Sequence, residues 1–580
     1  MKSLIIVSLF SLTFIFSLTS CRKNQTGTKI GYVNVPLSSE ISTLDPANSY
    51  DTISASVIYQ GYEQLYEYHY LKRPYSIQPL LASEMPSISK DKKTYTIKIK
   101  KNIQFHDDPA FNGTVRLLTA HDFITQLKRL AYIPTKSNGW WLFDGRIEGI
   151  NHFRKSVGKD FDKFKSQSIS GVKAIDNHTL EIKLTKPYPQ MLFTLAMSFT
   201  SPMPMEVVEK YKNLLHDKMI GTGPFKLLKW NKDSSLKLVK FKHYHENHYP
   251  RQGDRQANSL GLLKDAGKKI PFLEGVNYTI IKESQTRWLN FRSKKIDFLV
   301  IPKDNYASAI NPSGDLSTEL TKDNIHLQIF PTLTYWWLSF NMTDQLLGKN
   351  LNLRKAIAHA VNVEKYIKFF TNNIGQKANS IYPPGIPGYD PSAQLPYSYD
   401  LDLAKKFLAD AGYPGGKGLP VLNYDVRGTN ATNRQQADFI KTELGKIGIQ
   451  VKVSLNTFSH FLEKMRNGKL QFWQDGWAMD YPDAENSLQL LATKNHSPGP
   501  NATFYTNKNF DKFFAELKVL KDGKRKKDLM KKMEQIIHDE LPWIMQYYAR
   551  NYILYHNHLK NYRHSDLIYN NIKYLRTSYQ

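Results

Sequence analysis

One cysteine, Cys21, is present in 580 residues. No intramolecular disulfide can form, and no zinc site can draw on two thiolates. Beyond that cysteine no segment carries 18 uninterrupted apolar residues, so nothing there reads as a membrane-spanning helix. Phosphate-binding loops are missing as well. "GTGPF" (Gly221 to Phe225) lacks the G-x-x-x-x-G-K-[ST] spacing, and no G-x-G-x-x-G stands out. Ser, His and Asp are plentiful, but without a G-x-S-x-G elbow or an H-E-x-x-H they form no paired catalytic motif. Neither an enzyme nor a bound cofactor is expected. Acidic residues are the scarce charge, 52 against 79 basic ones, for a net charge of +27. Such an excess can suit nucleic acid. Here the lysines are scattered in pairs, and the one dense run, "KDGKRKKDLMKK" (Lys521 to Lys532), reads as the solvated face of a helix. No nucleic-acid partner is expected; anionic lipid or cell-wall polymer suits such a surface equally well.

What is there begins at the N-terminus. Lys2 is followed by an apolar run, Leu4 to Leu18, broken only by Ser and Thr. As a helix it would span roughly 22 Å, short of the roughly 30 Å hydrocarbon core, so it reads as a signal segment (residues 1–20). It ends in "LTSC" (Leu18 to Cys21), which resembles the lipobox of bacterial lipoproteins. That resemblance implies lipidation at Cys21, attachment to a membrane of the cell envelope, and exposure on its periplasmic or extracellular side. Residues 21–28, polar and Gly-containing, read as a tether.

Farther on, strand and helix patterns alternate. "TYTIKIKK" (Thr94 to Lys101) sets Tyr95, Ile97 and Ile99 on one face, and "HTLEIKLTKPYP" repeats this with Leu180, Ile182 and Leu184. "NLRKAIAHAVNVEKYI" places Leu353, Ala356, Ile357, Ala360 and Val361 on one helical stripe. In "RQQADFIKTELGKIGIQVKVS", Ala437, Ile440, Leu444 and Ile447 have helical spacing. Gly448 ends the helix, and Ile449, Val451 and Val453 alternate as a strand. The class is α/β, and the length calls for two or more lobes.

Several segments, in order, resemble the extracytoplasmic solute-binding proteins of the peptide/nickel class of ABC importers, of the oligopeptide-binding type. They are "STLDPANSYD", "YTIKIKKNIQFHDDPAFNG", "GTGPFKL", "HYHENHYP", "LRKAIAHAVNVEKY", "DLAKKFLADAGYPGG" and "GWAMDYPDAEN". The resemblance implies a two-lobe periplasmic-binding-protein fold (type II, with an extra domain on lobe I) and a ligand cleft between the lobes. By position, lobe I comprises 29–60, 170–280 and 546–580, the extra domain 61–169, and lobe II 281–545. A monomer is expected, working with a permease and an ATPase and carrying oligopeptides.

"DGWAMDYPDAEN" (Asp475 to Asn486) holds four acidic residues in a basic chain. In peptide-binding members of the family, the residue at the position of Asp480 pairs with the α-ammonium of the ligand. A carboxylate enclosed by Trp477, Tyr481 and a closing lobe is costly to desolvate unless a cation accompanies it. The backbone of Gly476, Trp477 and Ala478, facing that of Tyr50, Asp51 and Thr52, would bind the peptide main chain as added strand contacts. The resemblance gives Asp475, Asp483 and Glu485 no ammonium to hold. Gln474 replaces an Arg that receives the ligand carboxylate in some relatives, which leaves that anchor open, and Tyr547 and Tyr548 are expected to line the cleft near the hinge. A metal chelate or haem is the alternative cargo on the same fold. His243 and His245 of "HYHENH" would share a face if the segment were a strand, with His248 nearby; the family reading makes it an exposed turn, with no metal bound. A surface or cell-wall-binding lipoprotein is the other alternative.

Overall fold

The computed structural model describes residues 31–578 apart from Pro74 and Glu246. Cys21, the expected signal segment and the expected tether lie outside the described residues. The chain enters as β1 (Tyr32–Leu37), whose Val33, Val35 and Leu37 are buried while the residues between them are half-buried. After the helix α1 (Thr52–Gly61) come β2 (Thr94–Lys98), β3 (Val172–Asp176) and β4 (Thr179–Lys183). With Ser87–Ile88 these form an antiparallel sheet in the order Ser87–Ile88, β2, β4, β3. The alternation in "TYTIKIKK" and "HTLEIKLTK" is realised here: Tyr95, Ile97 and Ile99 face Leu180, Ile182 and Leu184 in one core.

β5 (Phe225–Asn231), β6 (Ser235–Lys240) and β7 (Gly275–Ile280) then return to the first strand in the order β1-β7-β6-β5, with β1 parallel to β7. A larger sheet follows, of β8 (Phe298–Val300), β9 (Ile325–Phe340), β10 (Leu422–Val426), β11 (Val451–Leu455), β12 (Phe472–Ala478) and β13 (Trp543–His556). Its order is β8-β13-β9-β12-β10-β11, with Gln376–Lys377 added on β13. Asp297 ties the β1 sheet to this one. It accepts from the backbone N–H of Asn34 at 2.7 Å and sits 2.8 Å from His558 Nε2.

The expected segment boundaries can be laid on these sheets. Position 169/170 separates β2 from β3 and β4, the strands that complete its sheet. Position 545/546 falls inside β13, which stays in the large sheet throughout its length.

Beside the large sheet, the stripe Leu353 to Val361 is buried as expected and lies on α2 (Leu351–Ala360), with Val361 as its C-cap; a separate helix, α3 (Val363–Thr371), follows. Val361 is extended, and the Asn362 side chain accepts from Lys365 N at 2.8 Å to start α3, as a short polar N-cap does. Beyond a helix at Leu401–Asp410, α4 (Ala431–Gly445) ends three residues before Gly448. Gly448 has φ +89°, and the strand β11 follows. The helices α5 (Phe458–Arg466), α6 (Ala484–Leu488) and α7 (Lys524–Glu540) also lie on this side. In α7 the expected solvated face is present at Lys524, Arg525, Lys527, Lys531 and Lys532. Lys526 departs from it: it is buried on the same stripe as Leu529 and Met533, because Asp483 meets its ammonium at 2.6 Å.

Candidate ligand-binding cleft

Between the β1 side and the large sheet lies a partly open cavity of about 200 Å³. One wall comes from Tyr50, Asp51 and Thr52 at the start of α1, with Tyr59, Met197 and Phe199. The other comes from Asp475 to Ala478 on β12, Asp480, Arg427 and the face of α5. Strand pairing explains why β12 can serve as a wall. Along one edge its residues Phe472–Ala478 pair with β9, whereas along the other β10 reaches only Phe472 and Trp473. From Gln474 to Ala478 that second edge has no strand partner among the described residues, which is the geometry a bound extended backbone can use. Gly476 sits opposite Trp336, and a Cβ there would come within 2.6 Å of the indole.

Asp480 lies just past the end of β12. Its carboxylate accepts from Asn486 Nδ2 at 2.9 Å and from Tyr50 Oη at 3.3 Å, while its backbone N–H donates to Asn486 Oδ1. The same Asn486 oxygen accepts from Trp477 Nε1 at 2.8 Å, so one buried amide fixes both residues. All the side-chain partners of Asp480 are neutral. Burial therefore dominates and raises its pKa to about 7; the bonds from Asn486 and Tyr50 pull the other way, and the charge of Glu485 adds to the rise. The Tyr50 phenol is pushed well above its usual value, first by burial and then by Asp480.

The other three acids of the stretch are already matched. Asp483 meets Lys526, and Gln190 donates to it at 3.1 Å. Glu485, fully buried, meets Arg146 at 2.9 Å. Asp475 lines the cavity 3.9 Å from Arg427 and accepts from Trp473 Nε1. Of the four acids in the stretch, only Asp480 faces the cavity without a cation within ion-pair distance among the described residues; Asp51, the other unpaired carboxylate of the lining, is taken up by Ser54 N and Ser42 Oγ.

Several expected positions fall elsewhere. Tyr547 and Tyr548 do not line the cavity. They sit on opposite faces of the central strand β13, Tyr547 packing with Tyr366 and Trp336, and Tyr548 donating from its hydroxyl to Ser380 O at 2.8 Å. Both faces of β13 are covered, so neither side chain is left for a ligand. Tyr481, expected to enclose Asp480, turns away, stacks on Phe193 and hydrogen-bonds to Glu485. The Asp51 carboxylate is engaged in capping α1 through Ser54 N and in a bond from Ser42 Oγ. Gln474 points into the core, bonding to Tyr366 Oη and Gln546 Oε1. Residues 243–245 form no strand: His245 is held 2.8 Å from buried Glu63, while His243 packs against Phe241. No group of three metal-ligating side chains occurs among the described residues.

The cleft also holds residues that the sequence did not single out. The Arg427 guanidinium lies over the rings of Trp336 and Phe458, at 5.0 and 5.5 Å, and Arg466 at the end of α5 lines the same cavity. Arg427 follows strand β10 in a turn-like "RGTN", an ordinary surface signal. Asn486, the positioning group of Asp480, stood inside the acidic stretch, but nothing local marked its amide as turned inward.

Comparison with known proteins accords with this geometry. The family model for bacterial extracellular solute-binding proteins, family 5 Middle, matches residues 76–499, more than half of the chain. A dipeptide-binding protein of Escherichia coli (strain K12) is 26% identical over 471 residues, 79% of each chain. The glutathione-binding protein GsiB of the same strain is 25% identical over 521 residues, 88% of each. Among solved structures, the periplasmic binding protein DppA of Helicobacter pylori in complex with the peptide STSA superposes with TM-score 0.75 at 25% identity, covering 94% of this chain and 98% of that one. OppA of Listeria monocytogenes bound to peptide gives 0.76 at 23% identity, covering 95% and 100%. The two-lobe periplasmic-binding-protein fold is shared with both. The chain belongs to family 5 of the bacterial extracellular solute-binding proteins.

Proposed function

We propose that this protein is the substrate-binding component of an ABC importer: it encloses peptides with a free amino terminus between its two lobes and hands them to a membrane permease driven by an ATPase. The observation that carries the reading is Asp480, a cavity-facing carboxylate whose side-chain partners are all neutral. A peptide ammonium would supply the missing cation whatever the peptide sequence. The unpaired edge of β12 would take the peptide backbone, and main-chain bonds carry no side-chain information, which favours breadth of cargo. Arg427 and Arg466 are the guanidinium groups that line the same cavity, and they would receive the far carboxylate that Gln474 cannot. Lobe I would follow the β1 sheet, the extra domain the β2 sheet with β3 and β4 included, and lobe II the large sheet through the end of β13. Lipidation at Cys21, implied by "LTSC", would hold the protein at the membrane as a monomer.

The test removes one charge at a time. Asp480→Asn keeps the shape and hydrogen-bonding capacity and should weaken free peptides by on the order of two to three decades, the cost of leaving an ammonium enclosed without its partner. N-acetylation of the peptide should weaken binding to the unaltered protein to a similar degree and cost little more in the variant. Equal affinity of acetylated and free peptides for the unaltered protein would reduce Asp480 to a loop residue.

A further inference from the structure

We propose a second binding site, for a phosphomonoester group, on the outer surface of the β2 sheet. A pocket of about 690 Å³ opens where β2 runs out, between Lys98, Lys100 and Lys101, the β3–β4 turn (Asp176, His178, Thr179) and His245. It shares no lining residue with the cleft. The lysines of "KIKK" and His245 of "HYHENH", which the cleft leaves unused, meet at this place.

The charge of the pocket is lopsided. Three lysines line it against the single carboxylate of Asp176, which is bonded to His178 N and Thr179 Oγ1 in its own turn. Lys98 has an exposed partner, Glu84, at 3.0 Å. Lys100 and Lys101 have no carboxylate within ion-pair distance among the described residues, although Lys100 is half-buried and burial lowers its pKa. The nearest buried acids are already engaged. Glu63 accepts from Tyr244 Oη and Thr222 Oγ1 and holds His245, while Glu67 is matched by Lys573 and Asn570. With its Nε2 on Glu63, His245 serves as wall, not as metal ligand. Glu63 and Glu67 act on the Lys100 ammonium only from beyond ion-pair distance, so an anion in the pocket would be its first contacting counter-charge.

Among anions, a phosphomonoester fits best. Its charge of about −1.5 to −2 and three acceptor oxygens match the two ammonium groups of Lys100 and Lys101, which have no carboxylate in contact. A single phosphate would leave most of the pocket empty, so the group should be carried on a larger molecule. That could be a soluble phosphate ester or a lipid headgroup of the membrane to which the protein would be tethered; the recognising chemistry is the same.

Calorimetric titration of the full chain with glycerol 3-phosphate tests this at low and at physiological ionic strength. Saturable binding is expected, weakening with salt. The double variant Lys100→Ala/Lys101→Ala should lose about tenfold or more, as removal of charge-assisted bonds predicts. Lys100→Met, which keeps the alkyl stem, should show part of that loss with an unaltered thermal melt. The exposed pair Lys405→Ala/Lys406→Ala changes net charge equally and should bind as the unaltered protein does. Vesicles of phosphatidic acid against phosphatidylcholine separate the sources: retention on the former that depends on Lys100 and Lys101 supports the lipid headgroup, and binding of glycerol 3-phosphate without retention supports the soluble ester. Absence of saturable binding, or an equal loss in the Lys405/Lys406 variant, overturns the site.

Discussion

At the residue scale, the stretch from Asp475 to Asn486 sorts its acids by what they meet. Asp483 and Glu485 meet cations in the core, and Asp475 faces Arg427. Asp480 meets only neutral donors and is pushed to about 7 by burial. The sign of the resulting pH dependence is fixed. The unfolded carboxyl loses its proton near 3.8, whereas the folded one keeps it to about 7. The unfolded state therefore binds fewer protons in that window, and this residue makes the ligand-free protein less stable as pH rises through it, with no further change above. Binding runs the other way. An ammonium needs the ionised carboxylate, so affinity should fall about tenfold for each pH unit below about 7, and fall again above about 8 as the peptide amine loses its proton. Affinities measured from pH 5.5 to 9 should trace that bell, and Asp480→Asn should flatten its acid limb. An acid limb equally steep in the variant would assign the proton to another group. The local sequence marked Asp480 but not its neighbours. Asn486 and Tyr50 reach it through a loop turn and from 430 residues away, respectively. Such contacts have no period to read.

At the element scale, legibility followed exposure. Strands with one wet face showed it: β2 and β4 alternate, and their inward residues are the ones expected. β13 did not, because β9 and β8 flank it and cores lie on both faces. Tyr547 and Tyr548 are therefore both buried, and an alternation pattern has nothing to report. The helical stripe Leu353 to Val361 was legible as apolar, but the end of its helix at Val361 was not. Asn362 is a weak signal in sequence and becomes a cap only once Val361 turns extended. The α4–β11 unit was the most legible, and its turn can be tested. Gly448 has φ +89°, and a Cβ there would come within 2.2 Å of the carbonyl oxygen of Gly415. Gly448→Ala combines a left-handed backbone with a collision against main chain, so it should cost about 3 kcal/mol. Urea unfolding should show the loss, and peptide affinity should not move, since neither α4 nor β11 lines the cavity. A loss below about 0.5 kcal/mol would mean that the turn relaxes freely.

At the scale of the whole molecule, the +27 charge is not what the cleft presents. Its lining sets Asp51, Asp475 and Asp480 against Arg427 and Arg466. The excess lies outside, and the phosphomonoester pocket would be one place where it is concentrated. What spans the proposed lobes is a buried pair, Arg146 on the β2 side and Glu485 in α6, with side chains 6% and 0% exposed. The Arg146 guanidinium lies 3.9 Å from the centre of the Tyr188 ring, and both Tyr188 and Tyr481 direct hydroxyls at Glu485. Arg146 Nε and Nη1 nevertheless find no hydrogen-bond partner, so the pair is incompletely satisfied. Such a pair adds little net stability, yet removing one member leaves a charge buried alone, at a cost of about 3–5 kcal/mol. Which state bears that cost distinguishes a closure contact from scaffolding. If the lobes part in the ligand-free protein, water reaches Arg146 there, and Glu485→Gln raises the energy of the closed form alone. The expected result is a loss of peptide affinity of two decades or more with little change in the urea midpoint of the ligand-free protein. Small-angle scattering should show the variant remaining extended at peptide concentrations that compact the unaltered protein. The reverse pattern, a destabilised ligand-free protein with unaltered affinity, would make Arg146–Glu485 a fixed strut and move the closing surface elsewhere.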